Sequence, residues 1–436
     1  MSSTLTNAVP AEPPVRLAFA MWAMAAAFYL FDFFQRVSPA ALALDLSREI
    51  APTAVALGSL SSAYFVTYAL LQLPGGMLID RFGTRKVFVV ACILGGVGTW
   101  VFASAHGPGV GALGRLILGA SGAVAWVGML KLASQWFTPA RFASITGVSL
   151  AIGAVGAVAS GLPLRMASDA AGWRSVIMAT GLFALALGLL IAWRMRDTPA
   201  LMGYANHQHP SRPSTDDGAH KMPWRDLAWL CVGQMGVTGS MAALAWLWAV
   251  PYLTTQFGQS PAQATFLSSM MMVFFATGAI VFGTLSDRRR TRQTPLLWGT
   301  GLTGLLMAVL ASGLVMDSLL LTVVVLWLLG GTAGSMVLSF VLAKDLVHGH
   351  RTATIVALVN LCVMLGSIGL PPLFGAILDH FWTGLLVDGV RQYPAHAFQW
   401  ALGTLAGWIG ITWLAQRMVR EDPTFARRPA PESPAP

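Results

Sequence analysis

The sequence predicts an all-α integral membrane protein with twelve transmembrane helices. Three observations lead there. Of the 436 residues, 56% are hydrophobic and only 10% are charged, against about 25% charged in an ordinary soluble domain. The mean hydropathy is +0.66. Apolar runs of about 20 residues recur from end to end, each long enough to cross a bilayer as a helix. A cytosolic enzyme and a disordered scaffold are both excluded.

Residues 1–16 read as a cytoplasmic N-terminal tail, polar and Pro-containing through Pro14. It carries no small-residue cleavage signal, so the first span is expected to stay uncleaved. Spans then follow at 17–42, 54–79, 87–105, 109–135, 143–164 and 174–194. The segment 195–225 is the one long polar interruption, with Pro210, Pro213, Asp216, Asp217, His207, His209 and His220. It reads as a solvated cytoplasmic linker between two six-span halves, with a weak histidine metal site as the alternative. The second half places spans at 226–253, 264–284, 295–315, 319–343, 353–377 and 395–417, and 418–436 is a cytoplasmic tail. The domains are thus a bundle over 17–194 and another over 226–417.

Orientation follows from Lys and Arg. With the N-terminus inside, the inner segments hold Arg16, Arg81, Arg85, Lys86, Arg141, the 194–225 cluster, Arg288 to Arg292, Lys344, Arg351 and the C-terminal arginines, most of the 27 basic residues. Basic loops mark the cytoplasmic side, and an even number of spans returns the C-terminus there. A bacterial-style inner-membrane location with both termini cytoplasmic is therefore expected. The net charge of +9 and pI near 10.0 have the same origin. No contiguous basic face exists for nucleic acid. Cys92, Cys231 and Cys362 lie in separate apolar runs and read as small buried hydrophobes, not as a disulfide or metal motif.

One motif repeats. Gly76-Met77-Leu78-Ile79-Asp80-Arg81-Phe82-Gly83-Thr84-Arg85-Lys86 follows span 2, and Gly283-Thr284-Leu285-Ser286-Asp287-Arg288 follows span 8. Gly permits close helix approach, and an Asp at a helix end can hold exposed amides or a nearby Arg, so both motifs are candidate conformational latches. The pattern resembles the G-x-L-x-D-R-x-G-R-[RK] loop of the major facilitator superfamily. Arg115-Leu116-Ile117-Leu118-Gly119-Ala120-Ser121-Gly122 resembles that family's fourth-helix motif, with Leu118 in place of its usual Gln. Trp136-Phe137-Thr138-Pro139 with Arg141, Gly172-Trp173-Arg174 and Pro371-Pro372-Leu373-Phe374-Gly375 also agree with it.

The resemblance implies two six-helix bundles in pseudo-twofold relation, a site near the midplane lined by helices 1, 4, 7 and 10, and transport by alternating access. A monomer without a cofactor is the family's usual form. Span 5 carries Gly147, Gly153, Gly156 and Gly161 but no Gly-Pro in the run, so it departs from the drug-antiporter signature. Phe31-Asp32-Phe33-Phe34-Gln35-Arg36-Val37-Ser38-Pro39 and Leu130-Lys131-Leu132-Ala133 look like a branch that includes relatives of lysosomal dipeptide transporters.

Charges inside the spans carry the functional reading, because each costs at least roughly 2.5–3.5 kcal/mol in hydrocarbon. Asp32 and Arg36 share a face one turn apart, about 22 and 28 Å from the inner end of span 1. Arg115 and Tyr64 fall at the same depth, with Tyr68 below. Asp32 is either a permanent partner of Arg36 or Arg115, or a proton carrier that responds to substrate on Arg36; Arg115 belongs to that coupling set. The planar fork of Arg36 suits a carboxylate. Lys131, about 24 Å lower than Arg115, is a second anion contact or a snorkelling cation. Gln234, Trp246 and Asn360 are the second half's substrate candidates, with helix–helix hydrogen bonding and interface anchoring as the alternatives.

The function expected is secondary transport of a small organic anion, an amino-acid derivative or a short peptide, with protons as co-substrate and the lipid bilayer as surroundings. Drug or siderophore efflux is the alternative, and a non-transporting sensor or scaffold a second one. Gly109-Val110-Gly111-Ala112-Leu113-Gly114 has no strand before it and is not a dinucleotide site; no phosphate-binding G-x-x-x-x-G-K-[ST] run occurs, and His348-Gly349-His350 lacks further ligands.

Overall fold

Proline and glycine set the helix limits. Pro108, Pro139 and Pro261 open helices, where a missing amide costs nothing. Gly258 and Gly313 close them with positive φ. A computed structural model describes residues 12–205, 224–345 and 352–419. The chain runs through α1 (Val15–Ala41), α2 (Ala43–Glu49), α3 (Ala54–Phe82), α4 (Thr84–Ala103), α5 (Pro108–Gly122), α6 (Ala125–Trp136), α7 (Pro139–Ala159), α8 (Leu162–Ala171) and α9 (Trp173–Arg194). After the linker come α10 (Trp224–Ala243), a π turn (Leu244–Trp248), α11 (Ala249–Phe257), α12 (Pro261–Arg289), α13 (Gln293–Ser312) and α14 (Leu319–Ala333). A 3₁₀ turn (Gly334–Met336), α15 (Val337–Asp345), α16 (Thr352–His380), a hairpin of β1 (Leu386–Val387) and β2 (Val390–Arg391), and α17 (Ala395–Arg417) complete the chain.

Eleven stretches among the described residues are long and apolar enough to cross a membrane. α17 has the length of a twelfth, but His396, Gln399 and Gln416 lower its hydropathy. The helices follow the expected spans with one systematic difference. Spans 4, 5 and 10, expected to be continuous, are broken at 123–124, at 160–161 and at the 334–336 turn, and span 7 carries the π turn. Each break lies at or beside Gly122, Gly161 or Gly334, where an absent side chain leaves the backbone free to change its winding. The histidines of the linker, His348 and His350, and both chain ends lie outside the described residues.

Contacts divide the chain into two units. The first comprises Met1–Leu42 with Ala63–Arg212, and the second Ala43–Ser62 with Pro213–Pro436. The division therefore falls inside α3. In the first unit Phe28 of α1 meets Phe88 of α4 at 5.1 Å, Tyr29 meets Trp126 of α6 at 5.2 Å, and Trp22 Nε1 donates to Ser149 Oγ of α7 at 3.1 Å. At Gly83, between α3 and α4, φ is +86°, and a Cβ would strike the carboxylate of Asp197. In the second unit Leu227, Leu230, Leu296, Leu338, Leu342 and Val359 form one apolar cluster. α10 and α16 come into backbone contact where Gly239 faces Gly366. Cys231 and Cys362, read separately in the sequence, lie within hydrogen-bonding reach of each other across the same pair as free thiols.

Candidate functional site

The first unit gathers three buried charged side chains in one place, while Arg165 of α8 pairs separately with Asp169. Asp32 and Arg36, at i and i+4 on α1, pair through Oδ2 and Nη2 at 2.9 Å with side chains 2% and 8% exposed. The other carboxylate oxygen of Asp32 accepts the phenol proton of Tyr64 from α3. Gly122, at the end of α5, makes room for this contact, because a Cβ there would collide with both Asp32 Oδ1 and the Tyr64 hydroxyl. The Arg36 guanidinium lies 4.4 Å from the ring centre of Phe33, 4.7 Å from Tyr68 and 5.6 Å from Tyr64. Such ring faces offset part of the desolvation of the cation. Asp32 engages the fork through a single nitrogen, and Arg36 Nε is buried with no hydrogen-bond partner.

Arg115 of α5 is fully buried beside this pair, 5.1 Å from the Tyr64 ring. Its Nη1 donates to the Gln35 carbonyl at 2.5 Å and its Nη2 to the Arg36 carbonyl at 3.4 Å. The reason lies four residues on: Pro39 sits inside α1 and has no N–H to offer the Gln35 carbonyl. The Ser38 hydroxyl donates to that carbonyl locally at 3.1 Å, and Arg115 adds a charged donor from another helix and so braces the turn that carries Arg36. The Gln35 side chain is fixed in turn by Thr180 Oγ1 at 2.7 Å and Thr99 Oγ1 at 3.4 Å.

The structure joins two candidates that the sequence kept apart. Lys131 Nζ is bound to Asp80 Oδ1 at 2.7 Å and to the Ile79 carbonyl at 3.1 Å, so the second anion contact and the first latch are one ion pair. This fixes Lys131 at the end of α3, away from Arg36. Of the remaining residues of the first candidate latch, the Arg85 amide donates to Asp197 Oδ1 at 2.7 Å and its guanidinium to the Ala192 carbonyl. Arg81 lies over Phe82, Gly76 has open space around it, and Lys86 is exposed. In the second candidate latch Asp287 pairs with Arg292 at 2.5 Å, while Arg288 is exposed and Gly283 is open.

The second unit disperses its candidates. Gln234 is fully buried on α10 and donates from Nε2 to the Met336 carbonyl at the 3₁₀ break, at 3.1 Å. Trp246, in the π turn, donates to Met272 Sδ at 3.1 Å. Asn360 is half-buried on α16.

Among known proteins, the family model described as Major Facilitator Superfamily matches residues 17–248 and 229–436. The chain belongs to the major facilitator superfamily. This transporter is 26% identical over 344 residues to a protein of Cupriavidus necator named "Probable sulfoacetate transporter SauU", covering 71% of this chain and 80% of that one. It is 27% identical over 386 residues to the quinolone resistance transporter of Acinetobacter baumannii, covering 83% and 87%. Its fold matches the crystal structure of a bacterial homolog to the human lysosomal transporter Spinster with a TM-score of 0.77 at 17% identity, covering 93% and 97%. The family makes it a multi-pass membrane transporter and not an enzyme.

Several residues of this transporter's site escape a linear reading. Gly122 and Gly119 stand in the fourth-helix motif, yet only the fold shows that a Cβ at Gly119 would strike the Tyr64 carbonyl. Asp197 lies in what reads as linker. Pro39 had a usable signal, since a proline within a span always leaves a carbonyl to be satisfied.

Proposed function

We propose that this transporter moves a small organic anion, an amino-acid derivative or a short peptide across the inner membrane by alternating access, coupled to protons, as a monomer with both termini cytoplasmic. One observation carries the reading: Arg36 is buried, held by Asp32 through one nitrogen only, and keeps an unpartnered Nε. A substrate carboxylate or sulfonate completes that fork with two parallel bonds, a geometry that guanidinium favours. The name of the Cupriavidus relative, a probable transporter of sulfoacetate, which bears both a sulfonate and a carboxylate, supports it.

Coupling follows from the same pair. While Asp32 faces Arg36, the guanidinium favours the ionised carboxylate; when a substrate anion takes the fork, burial favours the protonated form. Substrate and proton then travel together. The Asp80–Lys131 and Asp287–Arg292 pairs are the latches that break and re-form between conformations. The test is thermal shift of purified protein with sulfoacetate, mono- and dicarboxylates, sugar acids, amino acids and dipeptides, against siderophores, quinolones and cationic drugs. A ligand that binds the folded state raises the melting temperature. Stabilisation by an anionic or peptide class that disappears in Arg36→Ala is expected.

Drug export is the second reading, supported by the Acinetobacter relative and opposed by the missing Gly-Pro in span 5. Stabilisation by quinolones or cations alone, indifferent to Arg36→Ala, overturns the anion reading in its favour.

A further inference from the structure

The transporter has three cysteines, all free, and the fold brings two of them together. Cys231 of α10 and Cys362 of α16 are far apart in sequence but lie within hydrogen-bonding reach of each other inside the second unit. Cys231 is half-buried and Cys362 buried. Cys92 belongs to the other unit. It is fully buried on α4 and packs against Gly188 of α9, where a Cβ would lie 2.9 Å from its own Cβ.

The meeting of the two thiols is set by the backbones. One turn beyond Cys231 is Met235, and one turn beyond Cys362 is Gly366. A Cβ on Gly366 would lie 2.9 Å from the Met235 carbonyl carbon and 3.0 Å from its Cα. The next turn of α10 keeps the contact, since a Cβ on Gly239 would lie 2.7 Å from the Gly366 carbonyl carbon. The pairs 231 with 362 and 235 with 366 share one offset, so α10 and α16 run in the same direction and in register. A disulfide joins Cα atoms about 4.4–6.8 Å apart. Helices in backbone contact one turn away provide that separation without moving.

We propose that Cys231 and Cys362 form an oxidation site, closed to a disulfide by a hydroperoxide, and that the bond staples α10 to α16. Cys231, the more exposed thiol, reacts first. Its sulfur takes one oxygen of hydrogen peroxide, the O–O bond breaks, and the thiol proton leaves with the other oxygen as water. The Cys362 sulfur then attacks the sulfur of the Cys231 sulfenic acid. The S–O bond breaks, the S–S bond forms, and the Cys362 proton leaves in a second water. The peroxide is reduced by two electrons and the thiol pair is oxidised by two. Thiol, sulfenic acid and disulfide are all uncharged, which suits a membrane span. A lone thiol oxidised onward to a sulfinate would place an ion there, which the bilayer penalises. A neighbouring thiol that resolves the sulfenic acid prevents that step.

The staple sits among the second unit's substrate candidates. Gln234, three residues after Cys231, ties α10 to the 334–336 break through the Met336 carbonyl at 3.1 Å. Asn360 stands two residues before Cys362. A covalent bond at this level removes sliding and rotation between the helices that carry both side chains. The inference is independent of which substrate is carried.

The test treats the full-length transporter in detergent with hydrogen peroxide, then quenches in acid, alkylates and maps the peptides by mass spectrometry. Of the three free thiols only Cys92 should remain, with the Cys231 and Cys362 peptides joined and lighter by two hydrogens. Dithiothreitol should restore all three thiols. Oxidation should raise the melting temperature and slow amide exchange along α10, and neither change should occur in Cys231→Ser or Cys362→Ser. In Cys362→Ser, dimedone should trap the sulfenic acid on Cys231. The wild-type peptide map decides the site without any variant. Three thiols left after peroxide, or a loss at Cys92 equal to that at Cys231, overturns the oxidation site. A disulfide that leaves the melting temperature and the α10 exchange at their reduced values overturns the staple.

Discussion

Gly122→Ala isolates the geometry on which the site depends. Gly122 ends α5 without a positive φ, so alanine's higher helix propensity alone predicts a gain of up to about 1 kcal/mol. The structure predicts a loss. The added methyl would occupy the space where Asp32 Oδ1 meets the Tyr64 hydroxyl. Forcing a methyl into a closed interior costs about 1–3 kcal/mol, and a broken hydrogen bond to a charged acceptor about 1.5–3 kcal/mol. The net destabilisation is then about 2–5 kcal/mol, so the sign itself decides between the two views. Thermal unfolding of detergent-purified protein reads it, with Gly147→Ala as the control, because a Cβ at Gly147 meets nothing within 4 Å. In the Gly122→Ala, Tyr64→Phe double variant the hydroxyl is gone, so the loss should be smaller than the sum of the two single variants. Equal melting temperatures for Gly122→Ala and Gly147→Ala would refute the reasoning, since they would mean that Asp32 and Tyr64 do not meet at that glycine.

Other outcomes follow from the same contacts. Asp32→Asn should preserve substrate exchange in proteoliposomes while abolishing pH-driven accumulation; retained accumulation sinks the proton role. Asp80→Asn and Lys131→Met should each slow transport, and the double variant should be no worse than either, because the two side chains form one ion pair; additive losses in uptake rate would show separate roles. Arg115→Met should lower the melting temperature, since it leaves the Gln35 carbonyl with the Ser38 hydroxyl alone and removes the charged donor to it, a cost of about 1–3 kcal/mol, and Pro39→Ala should recover part of it by restoring an amide at that position. If Pro39→Ala fails to rescue, Arg115 does not act on that carbonyl.

The helices were legible because membrane spans announce themselves one run at a time. The cluster of Asp32, Arg36, Tyr64 and Arg115 was legible for a similar reason: a fixed rise per residue gives depth, and charges at one depth in one bundle tend to meet. Depth alone does not name partners. Lys131 and Asp80 stood in separate motifs, and only the approach of α6 to the end of α3 joins them. The breaks after Gly122 and at Gly334 were invisible to hydropathy, which does not change when a helix rewinds between apolar neighbours. The Asp388-Gly389 turn that builds the hairpin is a recognisable two-residue signal, yet its use, bringing Arg391 and Tyr393 to Asp379, depends on where α16 ends.

A common rule connects the parts that were not legible. In hydrocarbon each backbone carbonyl freed by a proline or a helix break needs a donor from elsewhere. Pro39 frees Gln35, and Arg115 answers from α5. Pro371 frees Ser367, and Ser62 answers from α3. At the 334–336 break, Gln234 answers the Met336 carbonyl from α10. In each case a donor comes from another helix, at Gln35 alongside the local Ser38 hydroxyl, so a local defect becomes a tie between two helices at a defined height. Ties of this kind differ from apolar packing in one respect that matters for transport. A hydrogen bond to an orphan carbonyl can be exchanged for one to water when the helices part, whereas buried hydrocarbon has no comparable substitute. Prolines and breaks within spans therefore mark contacts that can be both specific when made and reversible when opened. Arg115 of α5 holds the Arg36 turn of α1 in place, and Ser62 of α3 holds the Ser367 carbonyl of α16.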